Sequence, residues 1–190
     1  MTIEELLDIL VSDKPSEILK NNEESLFKLI PELRRCKGFN QNNIWHPYDV
    51  LEHIYHVVDG VPSELVLRLA ALFHDVGKPS TYTLDDNKVG HFYNHWVESK
   101  RIFDSSIIFD GLDEALRNLI SNLIYYHDIS VPKLNDDDLK ALYQALGRDG
   151  IRLLFILKRA DLMAQNPEFH YILDDYSKQE QKLLSIGELK

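Results

Sequence analysis

Apolar residues recur every three or four positions along almost the whole chain, which is the period of an amphipathic α-helix. The stripes are Ile3-Leu6-Leu7-Leu10, Leu26-Leu29-Ile30-Leu33, Leu65-Leu69-Leu72-Phe73, Val97-Ile102-Phe103, Leu116-Leu119-Ile120-Leu123-Ile124, Leu139-Leu142-Leu146 and Leu153-Leu154-Ile156-Leu157. A last helix is expected over about Glu168 to Ile186, on the surface because it is rich in acidic and polar residues. The pattern predicts an all-α protein, a compact helical bundle.

One segment departs from this period. Between Ser80 and Phe92, two short stretches that contain β-branched and aromatic residues flank the polar run 85–88. This arrangement predicts a short hairpin or an ordered loop inserted near residues 80–92. Further along, Asn135 precedes three aspartates, which predicts a helix N-cap followed by an acidic first turn.

The length of 190 residues allows one well-filled core. We divide the chain into an N-terminal helical extension, residues 1–24, and a main domain, residues 25–190. The net charge of −10 and the pI near 5.2 argue against a broad basic surface for nucleic acid or anionic membrane. The single cysteine, the acidic N-terminus and the lack of a long apolar run predict a cytoplasmic protein with no membrane partner.

The candidate chemistry lies in histidines and aspartates. His74 and Asp75 stand side by side after an apolar helical stripe, so both side chains can point at one metal ion. His53 is expected on a preceding helix, from Tyr48 to Val58. Asp161 is expected on a late helix, Ile151 to Gln165, among apolar neighbours where a carboxylate needs a partner.

These four residues would form a mixed nitrogen and oxygen site that suits Mn, Fe, Co, Ni, Zn or Mg, so the sequence leaves the metal open. His95, His127 and, less clearly, His91 could hold a second ion. Asp75 could then bridge two ions about 4 Å apart. We therefore expect one or two divalent ions per chain.

Several motifs occur in an order that matches a known family. They are Leu29-Ile30-Pro31-Glu32-Leu33, Gly38-Phe39-Asn40-Gln41, His46 through His53, His74 through Lys78, Gly90 through His95, Tyr126-His127-Asp128 and Ala160-Asp161. This order resembles the HD-domain metal-dependent phosphohydrolase superfamily. It is most similar to the HD domain attached to bacterial tRNA nucleotidyltransferases, the CCA-adding enzymes. The resemblance covers roughly residues 27–165.

The resemblance implies an HD-type hydrolase domain for residues 25–190. It also implies metal ligation by His53, His74, Asp75 and Asp161, with His95 and His127 as ligands of a second ion or as phosphate-binding groups. Lys78 matches a lysine that meets the substrate phosphate, although it could instead be a charge at a helix C-terminus. Nothing in these 190 residues resembles the Gly-Ser motif and paired aspartates of a nucleotidyltransferase head, so CCA addition and tRNA binding are not expected.

The predicted function is divalent-metal-dependent hydrolysis of a nucleotide or another small phosphate ester, by phosphomonoesterase or cyclic phosphodiesterase chemistry. An ion would activate water for in-line attack, and Asp75, Lys78, His95 and His127 would form the catalytic set. Two alternatives stay open. One is a non-catalytic nucleotide-binding or signalling HD module, and the other is a purely structural metal centre. The aromatic residues around Trp96 and Tyr125 are expected in the core, with one or two walling the pocket.

Overall fold

The computed structural model describes residues 1–187 and confirms an all-α bundle with one short hairpin. The elements are α1 Ile3–Leu10, α2 Pro15–Asn21, α3 Glu23–Leu29, α4 Pro31–Cys36, α5 Val50–Gly60, α6 Leu65–Phe73, α7 Lys78–Thr81, β1 Thr83–Leu84, β2 Gly90–His91, α8 His95–Asp104, α9 Glu114–Tyr126, α10 Asp136–Met163 and α11 Leu173–Ile186. Short 3-10 helices lie at Ile107–Phe109, Val131–Lys133 and Pro167–Ile172.

Helix α6 is the centre of the bundle. Seven of its nine residues are buried, and it packs against α1, α5, α8, α9 and α10. A helix that is apolar on all sides must be surrounded in this way. Its one charged residue, Arg68, is also buried and donates to the carbonyl oxygens of Val58, in the last turn of α5, and of Pro62, just beyond that helix. The arginine therefore satisfies one carbonyl that has no partner within α5 and one in the turn that follows.

The N-terminal residues form α1 and α2 and a turn leading to α3. Leu6 and Leu10 of α1 are fully buried, and α1 packs on α6 while α2 packs on α5. Ser16 ties α2 to α5 because its hydroxyl donates to Asp59 over 2.6 Å. Residues 1–24 thus share the core of the bundle. That they form an extension separate from the main domain, residues 25–190, stays a prediction.

The hairpin is confirmed as an antiparallel pair in which Thr83 faces His91 and Leu84 faces Gly90. Its turn is closed by Asp85, whose carboxylate accepts from the backbone N–H groups of Asn87 and Val89 at 2.9 Å. The N–H of Gly90 donates to the carbonyl of Asn42 over 2.8 Å. A Cβ at position 90 would lie 2.1 Å from the carbonyl oxygen of Gln41, so only glycine allows the hairpin to lie against this loop.

Three helix bounds differ from the sequence prediction. The helix that carries His53 begins at Val50 because Asp49 caps it, accepting from the N–H of Glu52 over 2.8 Å. The helix that carries Asp161 begins at Asp136, capped by Asn135 as predicted, and is broken at Gly147, whose φ of 64° is not helical. The last segment starts with the 3-10 turns and becomes α-helical at Leu173.

Gly77 fixes the distance between the His74-Asp75 segment and α8. Its N–H donates to the Ser99 hydroxyl over 2.9 Å, and a Cβ there would lie 2.6 Å from the carbonyl oxygen of His95 and 2.7 Å from the Ser99 nitrogen. Both neighbours are backbone atoms, which cannot rotate away. The close packing of α8 therefore requires glycine at this position.

We expect Gly77→Ala to lower the free energy of unfolding by about 3 kcal/mol, the upper part of the range for overpacking, because backbone must move. Urea denaturation followed by circular dichroism measures the loss. Gly111→Ala is the matched control, since position 111 is exposed and has open space around its Cβ. Its change should stay within about 0.5 kcal/mol. Equal denaturation midpoints for the two variants would contradict the steric argument.

Candidate metal centre

Four side chains predicted to hold one ion converge in the fold. His53 comes from the middle of α5, His74 caps the C-terminus of α6 and Asp75 follows it. The Nε2 atoms of His53 and His74 are 3.3 Å apart, and each lies 3.3 Å from Asp75 Oδ2. Asp161, near the end of α10, places Oδ1 at 3.0 Å from His53 Nε2 and 3.8 Å from His74 Nε2. These atoms form one group with two imidazoles and two carboxylates.

A second group lies on the other side of Asp75. His95 is the first residue of α8 and His127 caps the end of α9, so both rings extend from helix termini. Their Nε2 atoms are 3.1 Å apart, and they lie 3.2 and 3.6 Å from Asp75 Oδ1. The aspartate is therefore shared, with one oxygen toward each pair of imidazoles. Among residues 1–187, two sets have donor atoms within 4.8 Å of one another: His53, His74 and Asp75, and Asp75, His95 and His127.

Three of these rings are oriented by backbone carbonyls. The Nδ1 atoms of His74, His95 and His127 lie 2.8, 2.9 and 2.7 Å from the carbonyl oxygens three residues earlier in the chain. Since a carbonyl oxygen only accepts, each Nδ1 carries the proton and each Nε2 presents a lone pair. This is the orientation in which histidine ligates metals.

The residues present fit a cation in this position. The Nε2 lone pairs of His95 and His127 face each other at 3.1 Å, which is repulsive unless a positive charge lies beside them. Burial lowers the pKa of His127, so a second proton on that ring is disfavoured. Asp75 Oδ1, fully buried, has no hydrogen-bond donor among the described residues. The unbalanced set of two lone pairs and a carboxylate oxygen is what a divalent ion would neutralise.

The first group carries its own compensating charge. Burial opposes protonation of His53, but the neighbouring carboxylates of Asp161 and Asp75 prevail and raise the pKa of His53 to about 9. Despite burial, the imidazoles and Lys78 hold the pKa of Asp75 well below its ordinary value, and His53 does the same for the pKa of Asp161. An ion entering this group would replace the proton on His53 Nε2.

Lys78 lies directly in the site, although it starts a short helix as well. Its Nζ is 2.6 Å from Asp75 Oδ2 and donates to Gln41 Oε1 over 2.9 Å. His46 Nε2 is 3.5 Å away, and burial together with the lysine charge lowers the pKa of His46 to about 2. Gln41 and His46 are contacts that the sequence prediction missed, because both lie in an irregular segment without periodicity. Their only signal is membership of the motifs that precede α5.

Lys158 is a further residue that the sequence prediction missed. It is buried on α10, and its Nζ donates to the carbonyl oxygens of His127 over 2.6 Å and Ile129 over 3.0 Å. The ammonium group thus provides hydrogen-bond donors and positive charge for the carbonyl groups at the C-terminus of α9, where His127 is located. A lysine on the same helical face as Leu154 and Asp161 was the available sequence signal, since that face is otherwise apolar.

The remaining histidines lie away from the donor atoms. His91 lines the cleft, but its Nε2 is directed to Asp85 Oδ2 at 3.3 Å and its ring stacks on Tyr93, so it does not join the second group. His56, one turn after His53, is exposed and stacks on Tyr48. Asp128 is exposed at the rim of the cleft. The cleft itself has a volume of about 260 Å³ and is lined by residues that include Asp75, Lys78, His95, His127 and Asp161.

Comparison with known proteins gives three similar relatives, two of which are named as tRNA nucleotidyltransferases. The chain is 29% identical over 179 residues to the CC-adding tRNA nucleotidyltransferase of Thermus thermophilus, 37% over 84 residues to the multifunctional CCA protein of Cupriavidus necator, and 39% over 72 residues to the A-adding tRNA nucleotidyltransferase of Deinococcus radiodurans. The matches cover 90%, 41% and 35% of this chain, but only 37%, 20% and 16% of the relatives.

A family profile agrees with the geometry. The HD domain profile matches residues 44–165, a range that includes both groups of donor atoms and Lys78. No helix within residues 1–187 is long and apolar enough to cross a membrane. The match covers well over half of the chain and spans every element that carries a donor atom. The chain belongs to the HD domain family, whose superfamily is that of the metal-dependent phosphohydrolases.

Proposed function

We propose that this protein is a divalent-metal-dependent phosphohydrolase that acts on a nucleotide or another small phosphate ester. The observation that carries the proposal is the Asp75 carboxylate, whose two oxygens face two separate pairs of imidazoles while Lys78 lies against it. Such a shared carboxylate is the arrangement that places two cations side by side. Both phosphomonoester and cyclic phosphodiester substrates are compatible with this chemistry.

The metal ligands in this proposal are His53, His74, Asp75 and Asp161 for one ion and Asp75, His95 and His127 for a second. Nitrogen and oxygen donors together favour Mn, Fe, Co, Ni, Zn or Mg. When bound, a divalent ion supplies Lewis acidity toward a phosphoryl oxygen and lowers the pKa of water.

Lys78 would bind the phosphate of the substrate. Its ammonium group lines the cleft, is 4% exposed, and is held between Asp75 and Gln41, so its position is fixed before the substrate arrives. A preorganised cation at this place stabilises negative charge that increases on the equatorial oxygens in the transition state. His46, with its lowered pKa, is neutral at physiological pH and adds no competing charge.

A small substrate is favoured over a nucleic acid. The net charge of −10 argues against a broad electropositive surface, and the cleft of about 260 Å³ has the size of a site for a small ligand group. Two of the three relatives are named as tRNA nucleotidyltransferases, and this chain spans 37% and 16% of their lengths, so their activity is not transferred to it. We therefore propose a cytoplasmic enzyme whose partner is a small phosphorylated compound rather than tRNA or a membrane.

Metal binding is tested with His53→Gln and its control His56→Gln, two histidines on α5 of which only the first faces the donor atoms. Purified wild-type protein should contain one or two divalent ions per chain by elemental analysis, and chelation should lower its melting temperature. His53→Gln should lose most of the metal, while His56→Gln keeps it. Equal metal content in the two variants would contradict the assignment of His53 as a ligand.

Activity is tested by a metal-replete screen against nucleoside monophosphates, cyclic nucleotides, 2′,3′-cyclic phosphates and a generic aryl phosphate. Wild-type turnover should depend on added metal, and the double variant His74→Ala with Asp75→Ala should lose it while circular dichroism shows a folded protein. Nucleotide binding without any wild-type turnover would instead indicate a non-catalytic module. Melting on chelation with neither binding nor turnover would indicate a structural metal.

Lys78→Met isolates the role of the ammonium group. We expect kcat/KM to fall by roughly 10²- to 10³-fold, as for loss of one charge-stabilising donor. The metal content should not fall, because removing a cation next to Asp75 removes repulsion toward the ion. Lys14→Met, at an exposed lysine before α2, is the control. If Lys78→Met keeps wild-type kcat/KM, the lysine does not meet the substrate.

A further inference from the structure

A second and larger cavity lies next to the metal cleft. Its volume is about 540 Å³, twice that of the cleft, and three aromatic side chains form much of its wall: Trp96, Tyr125 and Tyr126. Ile129 and Leu134 complete the apolar surface. All five side chains are only partly buried, so their faces are available to a ligand. None of them belongs to the two groups of candidate metal ligands.

The two cavities adjoin each other, since Trp96 and Asp128 line both of them. Sequence neighbours explain this: Trp96 follows His95 at the start of α8, and Tyr126 precedes His127 at the end of α9. The rings of Trp96 and His95 are in edge contact, with centroids 5.4 Å apart. A ligand whose phosphate lies at the metal donors can therefore extend directly into the aromatic cavity.

The shape and chemistry of the cavity favour a planar aromatic group. Indole and phenol rings stack on the faces of nucleobases, and this contact depends little on the identity of the base. The volume is within the range of sites that enclose small organic ligands. Ser130 and Lys133 add hydrogen-bonding groups at the edge, which suit the polar rim of a base better than an alkyl chain.

Charge determines which end of the ligand enters. Asp128 lines both cavities, whereas Asp138 and Lys133 line only the aromatic cavity and offset each other, so that cavity offers a phosphate no excess positive charge. The phosphate is thereby disfavoured in the aromatic cavity and favoured beside Lys78 in the cleft. The same lack of positive charge disfavours further phosphate groups, so a monophosphate or a cyclic monophosphate fits better than a nucleoside triphosphate.

We infer that the cavity formed by Trp96, Tyr125 and Tyr126 binds the base of a nucleoside monophosphate or cyclic monophosphate substrate, with its phosphate at Lys78 and the metal donors. The inference rests on the proposed function for the phosphate end of the ligand. The base subsite itself is independent of catalysis, because the aromatic walls are present without any metal. It determines selectivity among phosphate esters, whereas the residues of the cleft determine the reaction.

Binding is measured first with adenosine, which has a base and no phosphate. The chain has two tryptophans, so Trp45→Phe leaves Trp96 as the only tryptophan. The phenylalanine keeps the aromatic stack that Trp45 forms with Phe169. Adenosine should quench Trp96 fluorescence saturably in this background. Adding Tyr125→Leu should weaken the apparent affinity roughly tenfold, and adding Tyr125→Phe should preserve it. Tyr171→Leu, at an exposed tyrosine outside the cavity, should change nothing.

Selectivity is measured next, with kcat/KM for AMP, hexyl phosphate and glycerol phosphate in metal-replete protein. Wild-type protein should prefer AMP, and Tyr125→Leu should lower the ratio of AMP to glycerol phosphate roughly tenfold. Tyr171→Leu should leave this ratio at the wild-type value. A preference for hexyl phosphate would show an alkyl site and overturn the inference.

The outcomes separate the two proposals. Turnover of small phosphate esters with no adenosine binding and no change of ratio in Tyr125→Leu would overturn the base subsite and leave the hydrolase standing. Saturable quenching that Tyr125→Leu weakens, without turnover of any ester, would keep the base subsite and remove the hydrolase.

Discussion

The rest of the site depends on one buried carboxylate. Asp75 is 1% exposed and cannot be stabilised by water, so its charge must be compensated by groups or ions in direct contact with it. Lys78 and His53 do so on one oxygen, and His95 and His127 face the other. Four separate helices converge on this position: two supply positive charge to Oδ2, and two present imidazole lone pairs that, with Oδ1, fit a cation.

The sequence predicted the elements that bury apolar stripes. The bundle, the hairpin and the cap at Asn135 follow from local patterns, since helical period, turn residues and capping side chains act over a few positions. A separation between the helix after Asn135 and the helix that carries Asp161 was predicted, but the position of the break at Gly147 and the start of α5 at Val50 were not. Both are decided by competition between neighbouring turns and by packing, which a local pattern does not contain.

The sequence predicted which residues form the candidate site but not how their side chains are arranged. The motif order identified His53, His74, Asp75, His95, His127 and Asp161, all of which the fold brings around one cleft. The division of the donors between the two oxygens of Asp75 depends on side-chain directions at helix ends, which spacing cannot give. Gln41 and His46 lie in irregular backbone and leave no periodic signal. Lys158 does lie on a helical face with apolar residues, but its contacts are with carbonyl groups of another helix end, which that position does not reveal.

The contact between Lys158 and the end of α9 determines where α10 can tolerate inserted or deleted residues. Lys158 and Asp161 lie less than one turn apart on α10, and together they connect that helix to both halves of the site. One inserted residue between them would rotate Asp161 by about 100° and separate the halves. Upstream, the non-helical residue at 147 interrupts the register, so insertions and deletions in the first part of α10 can be absorbed there without reaching the ligands.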